Sequence, residues 1–262
     1  MSITKEEIAA LKGRGFLRNR GTDAFSGRVV TAGGVYSADD LKIIAQCAEK
    51  YGNGKVCFTS RLSAEIVGIE ADKVEEAEKF LAAHGLSFGG TGARVRPITA
   101  CKGTVCVFGI LDTQELARVL HERFYIGMQN VALPHKFKIG VGGCPNSCMK
   151  PSLNDVGVEA RMRYNSETKQ AEKVWLVSVG GTWGKTRRDG TPLSFTVTPE
   201  KVCDTVEAIL LWYRENGYRK ERLGVTVDRV GIASLEAAIL DGSLLARKDA
   251  ILAAPLNEFP AE

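Results

Sequence analysis

The sequence lacks a long apolar run and an export-type start. A membrane helix needs roughly 18 consecutive apolar residues, and the longest candidate here, around Ile209 to Tyr213, is far shorter. The segment from Met1 to Arg20 is charged throughout and has no apolar core of a signal peptide. We therefore expect a cytoplasmic protein that makes no membrane contact.

Nucleotide-binding signatures are also missing. The glycine-rich stretch after the apolar run Val174–Val179 fails as a P-loop, because Val179 stands where that motif requires glycine. No G-x-G-x-x-G sequence opens a helix after a strand, so no dinucleotide site is predicted. The net charge of +4 over 262 residues is too small for a nucleic-acid-binding tail. We expect no nucleic-acid partner.

What is present is the composition of a folded α+β protein. Hydrophobic residues make up 44% of the chain and charged residues 25%, which is ordinary for a globular protein. Helical and strand-like patterns alternate as β-α-β-β-α before the glycines at 89–92 and continue after them. The first part has the order of a ferredoxin-like split βαβ unit, if a last strand lies near Leu86 to Phe88. These patterns predict domains at 1–90 and 91–262.

Individual elements follow from local signals. Ser37 is predicted to cap a helix that ends at Gly52, and a second helix is predicted over 71–84. In the second part the predicted helices cover 112–124, 199–216 and 234–240, with Pro199 in a first turn. Strands are predicted at 29–30, 55–59, 64–69, 137–141, 156–162 and 174–179.

Four of the seven cysteines form two close pairs. Cys101 and Cys106 enclose four residues, whereas Cys144 and Cys148 enclose three. Two such loops can hold an iron–sulfur cluster or a tetrahedral zinc ion, and spacing alone also permits four unmetallated thiols. No C-x-x-C redox motif occurs, and the odd cysteine count argues against a disulfide framework. The other three are predicted to be packing residues: Cys47, Cys57 and Cys203.

Several segments, in order, identify a family. They are Thr59-Ser60-Arg61, Arg96-Pro97-Ile98-Thr99-Ala100-Cys101, Leu133-Pro134-His135-Lys136-Phe137-Lys138-Ile139, Gly143-Cys144-Pro145-Asn146-Ser147-Cys148 and Gly180-Gly181. Together they resemble the sirohaem-containing sulfite and nitrite reductases. The resemblance implies a ferredoxin-like half-domain followed by a mixed α/β domain that binds sirohaem and a [4Fe–4S] cluster. One departure is the first cysteine pair, which encloses five residues in many members.

The resemblance also implies roles for particular residues. The cluster ligands would be Cys101, Cys106, Cys144 and Cys148, with Cys148 bridging to the sirohaem iron. A catalytic pocket for the anionic substrate would consist of Arg61, Arg96, Lys136 and Lys138. Fixed cations bind an anion, and lysine can also deliver protons. The sirohaem carboxylates would be held by Thr59, Ser60, Lys102, Asn146, Lys150, Gly181, Thr182, Lys185, Arg187 and Arg188.

Partners follow from the same resemblance. Fused members carry two related halves, with the cluster in one half and the cationic pocket largely in the other, whereas this chain has one half only. We therefore expect a homodimer with two shared sites. Sulfite or nitrite would be the substrate. Electrons would come from an external donor, such as a ferredoxin or an iron–sulfur or flavin subunit. The alternatives are an electron-transfer subunit without sirohaem and a structural zinc protein.

Overall fold

A computed structural model describes residues 3–260 of the chain. It divides into two compact units, Met1–Gly92 and Ala93–Glu262. The division falls within the glycine-rich segment at 89–92, where the chain lacks the side chains that would extend either core. Each unit has its own buried hydrophobic cluster.

The first unit is an antiparallel sheet covered by helices. Its strands are β1 (Phe16–Arg18), β2 (Ala24–Val29), β3 (Val56–Phe58) and β4 (Ala64–Glu70), in the spatial order β1-β2-β4-β3. Its helices are α1 (Lys5–Gly13), α2 (Ala38–Tyr51) and α3 (Val74–Ala82). The apolar faces of α2 and α3 bury Ile44 and Leu81 with Phe16, Phe25 and Ile66 of the sheet.

Local sequence signals explain most of this unit. Ser37 caps α2 as predicted, and its hydroxyl accepts a hydrogen bond from the Asp40 N–H at 3.0 Å. The predicted last strand near Leu86 to Phe88 is wrong, because only a single bridge joins Phe88 to Val29. The first helix and the first strand, α1 and β1, were not predicted from the charged start of the chain.

The second unit contains a mixed sheet and a helical layer. Its strands are β5 (Thr99–Ala100), β6 (Ile139–Gly142), β7 (Val156–Asn165), β8 (Gln170–Val179) and β9 (Thr191–Pro192), in that spatial order. The first three strands are parallel, and β7, β8 and β9 pair antiparallel. Its helices are α4 (Thr113–Leu120), α5 (Val202–Asn216), α6 (Leu223–Val230), α7 (Ile232–Leu240), α8 (Ser243–Ala246) and α9 (Lys248–Ala253).

Helix α5 is the centre of this second core. It buries Ile209, Leu210, Trp212 and Tyr213, and smaller helices pack around it. The sequence predicted its end at Asn216, but Pro199 lies in a turn before the helix instead of in its first turn. Within residues 3–260, no helix has the length and apolar character needed to cross a membrane.

The three remaining cysteines have different surroundings. Cys47 is fully buried, and burial raises the pKa of its thiol to about 12. Cys203 is half-buried against the second core. The packing role predicted for Cys57 is wrong: it is exposed on β3, an edge strand, where it stands opposite Glu65. An antiparallel sheet can bury one face and leave the other in water, and Cys57 lies on the face opposite to buried Ile66.

Candidate functional site

The two cysteine loops begin at the same end of two neighbouring strands. Cys101 directly follows β5, and Cys144 follows β6 after one glycine. Strands β5 and β6 are parallel partners, with Thr99 opposite Gly140. Their carboxyl ends therefore meet at one edge of the sheet, which brings the loops together although they are about 40 residues apart.

All four paired cysteines line one cavity. Its volume is about 120 Å³, and glycines and Lys102 complete its wall. Among residues 3–260, no three cysteine, histidine, aspartate or glutamate side chains are close enough to hold one metal ion together. Zinc would sit about 2.3 Å from each sulfur and would leave no such space. The dimensions fit a polynuclear cluster better than a single ion.

The Cys101 sulfur accepts hydrogen bonds from the backbone. The N–H groups of Gly143 and Gly103 lie 3.2 Å and 3.4 Å from Sγ. The Cys101 carbonyl accepts from the Thr113 hydroxyl at 2.6 Å and from the Gln114 amide at 2.7 Å. Donors directed at a thiolate stabilise its negative charge, and they tune the potential of an iron–sulfur cluster. This donor set fits a cluster ligand.

Glycines allow the loops to pack this closely. A Cβ on Gly109 would lie 2.2 Å from the Gly103 carbonyl oxygen, and one on Gly143 would crowd Cys101 Sγ at 3.3 Å. Gly103 also has a φ of +54°, which favours a residue without a side chain. The glycines around the cysteines therefore have a steric reason, namely close approach within the first loop and between the two loops.

The second ligand loop has a strained backbone. Ser147 and Lys150 have φ values of +52° and +47°. Two tight turns result, in which the Ser147 N–H donates to the Cys144 carbonyl and the Lys150 N–H to the Ser147 carbonyl. Positive φ in residues other than glycine costs about 1–3 kcal/mol and concentrates at functional sites. These turns set the direction of Cys148, which is exposed.

The predicted catalytic cations of this unit lie at the opposite end of the same strands. The Arg96 N–H donates to the Phe137 carbonyl at 2.8 Å, and Val95 and Phe137 form a parallel bridge. Phe137 is fully buried. Side chains alternate in extended backbone, so Lys136 and Lys138 both point to the face opposite to the one that Phe137 occupies. The structure thus brings Arg96 beside the lysine pair.

His135 lies among these cations. Burial lowers its pKa to about 4, and four positive charges add to the effect. In order of influence they are Lys136, Arg222, Arg96 and Lys138. The ring is neutral at pH 7, and its Nδ1 accepts the Lys136 N–H at 2.7 Å. Its hydrogen is therefore on Nε2.

A buried carboxylate holds this cationic group in place. Asp155 is fully buried and accepts from the Lys138 N–H at 2.9 Å and from Arg222 Nη2 at 2.8 Å and 3.0 Å. Burial raises the pKa of Asp155, whereas Arg222 opposes that shift. Sequence reasoning missed Asp155, Arg222 and His135 as site residues. In the sequence, the one visible signal was the position of Asp155 directly before an apolar strand. Nothing in the sequence linked Asp155 to Arg222, which lies 67 positions later.

The residues of this unit that are predicted to bind the sirohaem carboxylates differ in their exposure to solvent. Side chains open to solvent are Lys102, Asn146, Lys150, Lys185 and Arg187, and Thr182 is half-buried. Trp183, which the sequence did not indicate, lies near two of them, with Lys150 at 5.8 Å and Arg187 at 5.6 Å from its ring. Gly181 is buried, and a Cβ there would lie 1.9 Å from the Ser152 carbonyl oxygen.

Arg188 is different, because its guanidinium is engaged inside the protein. It donates to the Val179 and Gly180 carbonyls and pairs with Asp228 at 2.6 Å. The Asp189 carbonyl and the Thr191 hydroxyl accept further bonds from it. Arg188 Nε also donates to Asp228 at 3.1 Å, so all five N–H groups of the guanidinium have acceptors within the protein. In this structure Arg188 holds its own loop, and the predicted contact with a sirohaem carboxylate stays a prediction.

Three predicted site residues belong to the first unit. Thr59, Ser60 and Arg61 form the turn between β3 and β4. The Thr59 hydroxyl accepts from the Arg61 N–H at 3.2 Å and from the Ser63 N–H at 3.4 Å, so it stabilises the turn itself. Ser60 is exposed, and Arg61 is half-buried.

Comparison with known proteins gives the family. The profile of the nitrite and sulphite reductase 4Fe-4S domain matches residues 91–243, and that of the nitrite/sulfite reductase ferredoxin-like half domain matches residues 18–84. The chain therefore belongs to the nitrite and sulfite reductase family and is an oxidoreductase with one copy of each domain. The predicted α+β fold class is confirmed.

Two curated relatives and one solved structure show the range of the family. The assimilatory-type sulfite reductase of Nitratidesulfovibrio vulgaris is 28% identical over 79% of this chain and 88% of its own length. The assimilatory ferredoxin-dependent nitrite reductase of Haloferax mediterranei is 30% identical over 76% of this chain but only 36% of its own length. In two other curated reductases the match spans 20% and 24% of their length.

The solved structure supports the fold. It is the Mycobacterium tuberculosis NirA protein, which superposes with a TM-score of 0.75 at 22% identity and covers 99% of this chain. The chain covers 49% of that protein. At this identity the likeness concerns the fold alone.

Proposed function

We propose that this protein is a sirohaem-dependent reductase that carries out the six-electron reduction of sulfite to sulfide, of nitrite to ammonia, or of both. One observation carries the proposal. The parallel pair β5–β6 holds four cysteines around one cavity at its carboxyl end, and cations at its amino end. The two proposed functional domains are residues 1–90 and 91–262.

The cysteine end fits a [4Fe–4S] cluster. Four thiols face one cavity, and two backbone N–H groups donate to the Cys101 sulfur. The exposed cations Lys102, Lys150, Lys185 and Arg187 have the charge to bind the carboxylates of sirohaem. When bound, the cluster and the sirohaem supply electrons one at a time to the substrate.

The chain's own contribution at the cation end is to bind the anion and hold protons. Arg96, Lys136 and Lys138 provide fixed positive charges for sulfite or nitrite. The lysine ammonium groups carry protons at Nζ, which the reduction consumes. Neutral His135 can donate only from Nε2, since its Nδ1 already accepts the Lys136 N–H. An electron-transfer subunit without sirohaem would have no need for such an anion pocket.

The distance between the two ends supports a shared site in a homodimer. Arg96 and Cys101 are five residues apart, and at about 3.3 Å per residue an extended chain separates them by roughly 16 Å. Lys138 and Cys144 are six residues apart along the neighbouring strand. One small anion therefore does not reach both ends of one strand pair. We propose that each site combines the cysteines of one subunit with cations of the other.

Hybrid dimers test this proposal. Cys148→Ser subunits and Lys136→Ala/Lys138→Ala subunits are coexpressed with different affinity tags, and the dimers carrying both tags are isolated. If sites are shared, each parent variant is inactive, whereas the hybrid keeps one intact site and about half the wild-type activity per dimer. Activity is the reduction of sulfite or nitrite by dithionite-reduced methyl viologen.

The possible failures are distinguishable. An inactive hybrid, or a monomer that is active and fully loaded, would contradict the shared site but leave the reductase standing. A wild-type protein purified anaerobically without sirohaem absorption, and without viologen-linked activity towards either anion, would contradict the reductase itself.

A further inference from the structure

Three large apolar side chains are exposed on the loop that carries Cys106. They are Val105, Val107 and Phe108, which are 80%, 93% and 63% exposed. We call these three residues the Cys106 patch. Cys106 itself lines the cysteine cavity, but the patch residues are not part of the cavity wall. Contiguous apolar side chains in water are a marker of an interaction surface.

The loop is held in place, so this exposure is a feature of the fold. The Cys106 N–H donates to the Gly103 carbonyl, and the Gly109 N–H donates to the Cys106 carbonyl, both at 2.9 Å. The Ile110 N–H reaches the Gly143 carbonyl at 2.8 Å, which ties this loop to the other ligand loop. A side chain on Gly109 would collide with Gly103, so the turn has little freedom. The backbone thus presents the patch rigidly beside one cluster ligand.

We propose that the Cys106 patch is the docking surface for the electron-donor protein. The proposal rests on the proposed reductase function, in which electrons arrive from outside the chain. Electron transfer slows steeply with distance, so a donor must approach the cluster through one of its ligands. At each encounter the donor's centre is oxidised by one electron, and the cluster is reduced by one.

The charge around the patch indicates the chemistry of the donor. Between Cys101 and Leu111 no residue is negatively charged, and the whole chain has a net charge of +4. A partner that fits therefore has an apolar contact area and a net negative charge, as in an acidic ferredoxin. Cys106 and Cys148 would hold a bound cluster at different points, so a donor beside Cys106 would leave the Cys148 side for the substrate.

The experiment uses a purified ferredoxin of net negative charge as the probe. Val107→Asp and Phe108→Asp are compared with wild type in three measurements: ferredoxin affinity, oligomeric state, and amide hydrogen exchange over residues 103–110 with and without ferredoxin. Each variant is also assayed with reduced methyl viologen, which is too small to need a docking surface. The matched control is Leu240→Asp, because Leu240 is 71% exposed at the end of α7.

We expect each patch variant to weaken ferredoxin binding by roughly tenfold or more, as for a central interface residue. Viologen-linked activity stays near the wild-type value in every variant, and Leu240→Asp binds ferredoxin as the wild type does. Ferredoxin protects the amides of residues 103–110 from hydrogen exchange. Unchanged affinity would overturn the proposal, and so would an equal loss with both donors. A change from dimer to monomer would assign the patch to contact between copies. Absence of viologen-linked activity in wild type would instead overturn the reductase function on which the proposal rests.

Discussion

The two ends of the β5–β6 pair solve opposite electrostatic problems. At the carboxyl end, four thiols gather, and backbone N–H groups of Gly103 and Gly143 donate to the sulfur of one of them. At the amino end, like-charged cations gather around His135, and the buried carboxylate of Asp155 accepts from Arg222 and from the Lys138 N–H. Peptide dipoles thus serve the sulfur end, and a buried ion serves the cation end.

This difference in stabilisation predicts how each end of the strand pair responds when a side chain is substituted. Backbone donors remain when a side chain is replaced, so the cysteine end should fail only when a ligand or a tight glycine is lost. The cation end depends on one carboxylate that accepts from both Arg222 and the Lys138 backbone. Its geometry should therefore be lost when Asp155 is changed.

The largest effect is expected at the cysteine end. Cys101→Ser removes the sulfur that accepts two backbone hydrogen bonds. We expect loss of the cluster absorption and acid-labile sulfide, and a fall in viologen-linked turnover of more than about 100-fold. Cys57→Ser, at the exposed cysteine of β3, is the control and should change neither. A Cys101→Ser protein with full labile sulfide would show that this thiol is not a ligand.

The next effect concerns the buried carboxylate. Asp155→Asn leaves Arg222 without its buried charge partner, and we expect a loss of about 3–5 kcal/mol in the free energy of unfolding. The control is Asp228→Asn, which removes the largely exposed partner of Arg188 and should cost about 1 kcal/mol or less. Chemical denaturation at matched cofactor content measures both. Equal effects of the two substitutions would refute the contrast between the buried and the exposed pair.

A smaller effect, expressed as activation free energy, is expected when Lys136 of the lysine pair is replaced. Lys136→Ala should lower viologen-linked turnover by about 100- to 1000-fold, because it removes a cation that stabilises the developing charge. Iron and labile sulfide per chain should stay unchanged. Lys173→Ala, an exposed lysine of β8, is the matched control. If Lys136→Ala instead loses its cofactors, the residue serves their binding and not the substrate.

The smallest effect is a dependence of stability on pH. The pKa of His135 is about 4 in the folded protein, against about 6.5 in an unfolded chain. The unfolded state binds the extra proton first, so stability falls as the pH is lowered from about 6.5 to about 4. Because the ring is half-buried, we expect about 1 kcal/mol. His135→Asn should flatten the curve in that window, and identical curves would contradict the assignment.

Local sequence patterns were sufficient for the features that depend on neighbours along the chain. The cap at Ser37, the end of α5 at Asn216 and the two cysteine pairs are all readable from short segments. Predictions from the sequence were wrong where strand pairing decided the structure or the exposure of a residue. The segment near Phe88 became a single bridge, and Cys57 was exposed because it pairs with Glu65 on the face opposite to buried Ile66. Which face of a short strand meets the core is decided by pairing in the assembled sheet and has no local signature.

The sequence by itself determined the family, the α+β class and the identity of the four paired cysteines, because short motifs encode these directly. Only the tertiary structure brought the cysteines around one cavity, since parallel pairing of β5 and β6 joins loops about 40 residues apart. It also placed His135 among four cations and joined Asp155 to Arg222 across 67 residues. Burial and charge balance depend on distance in space, which a linear pattern does not record.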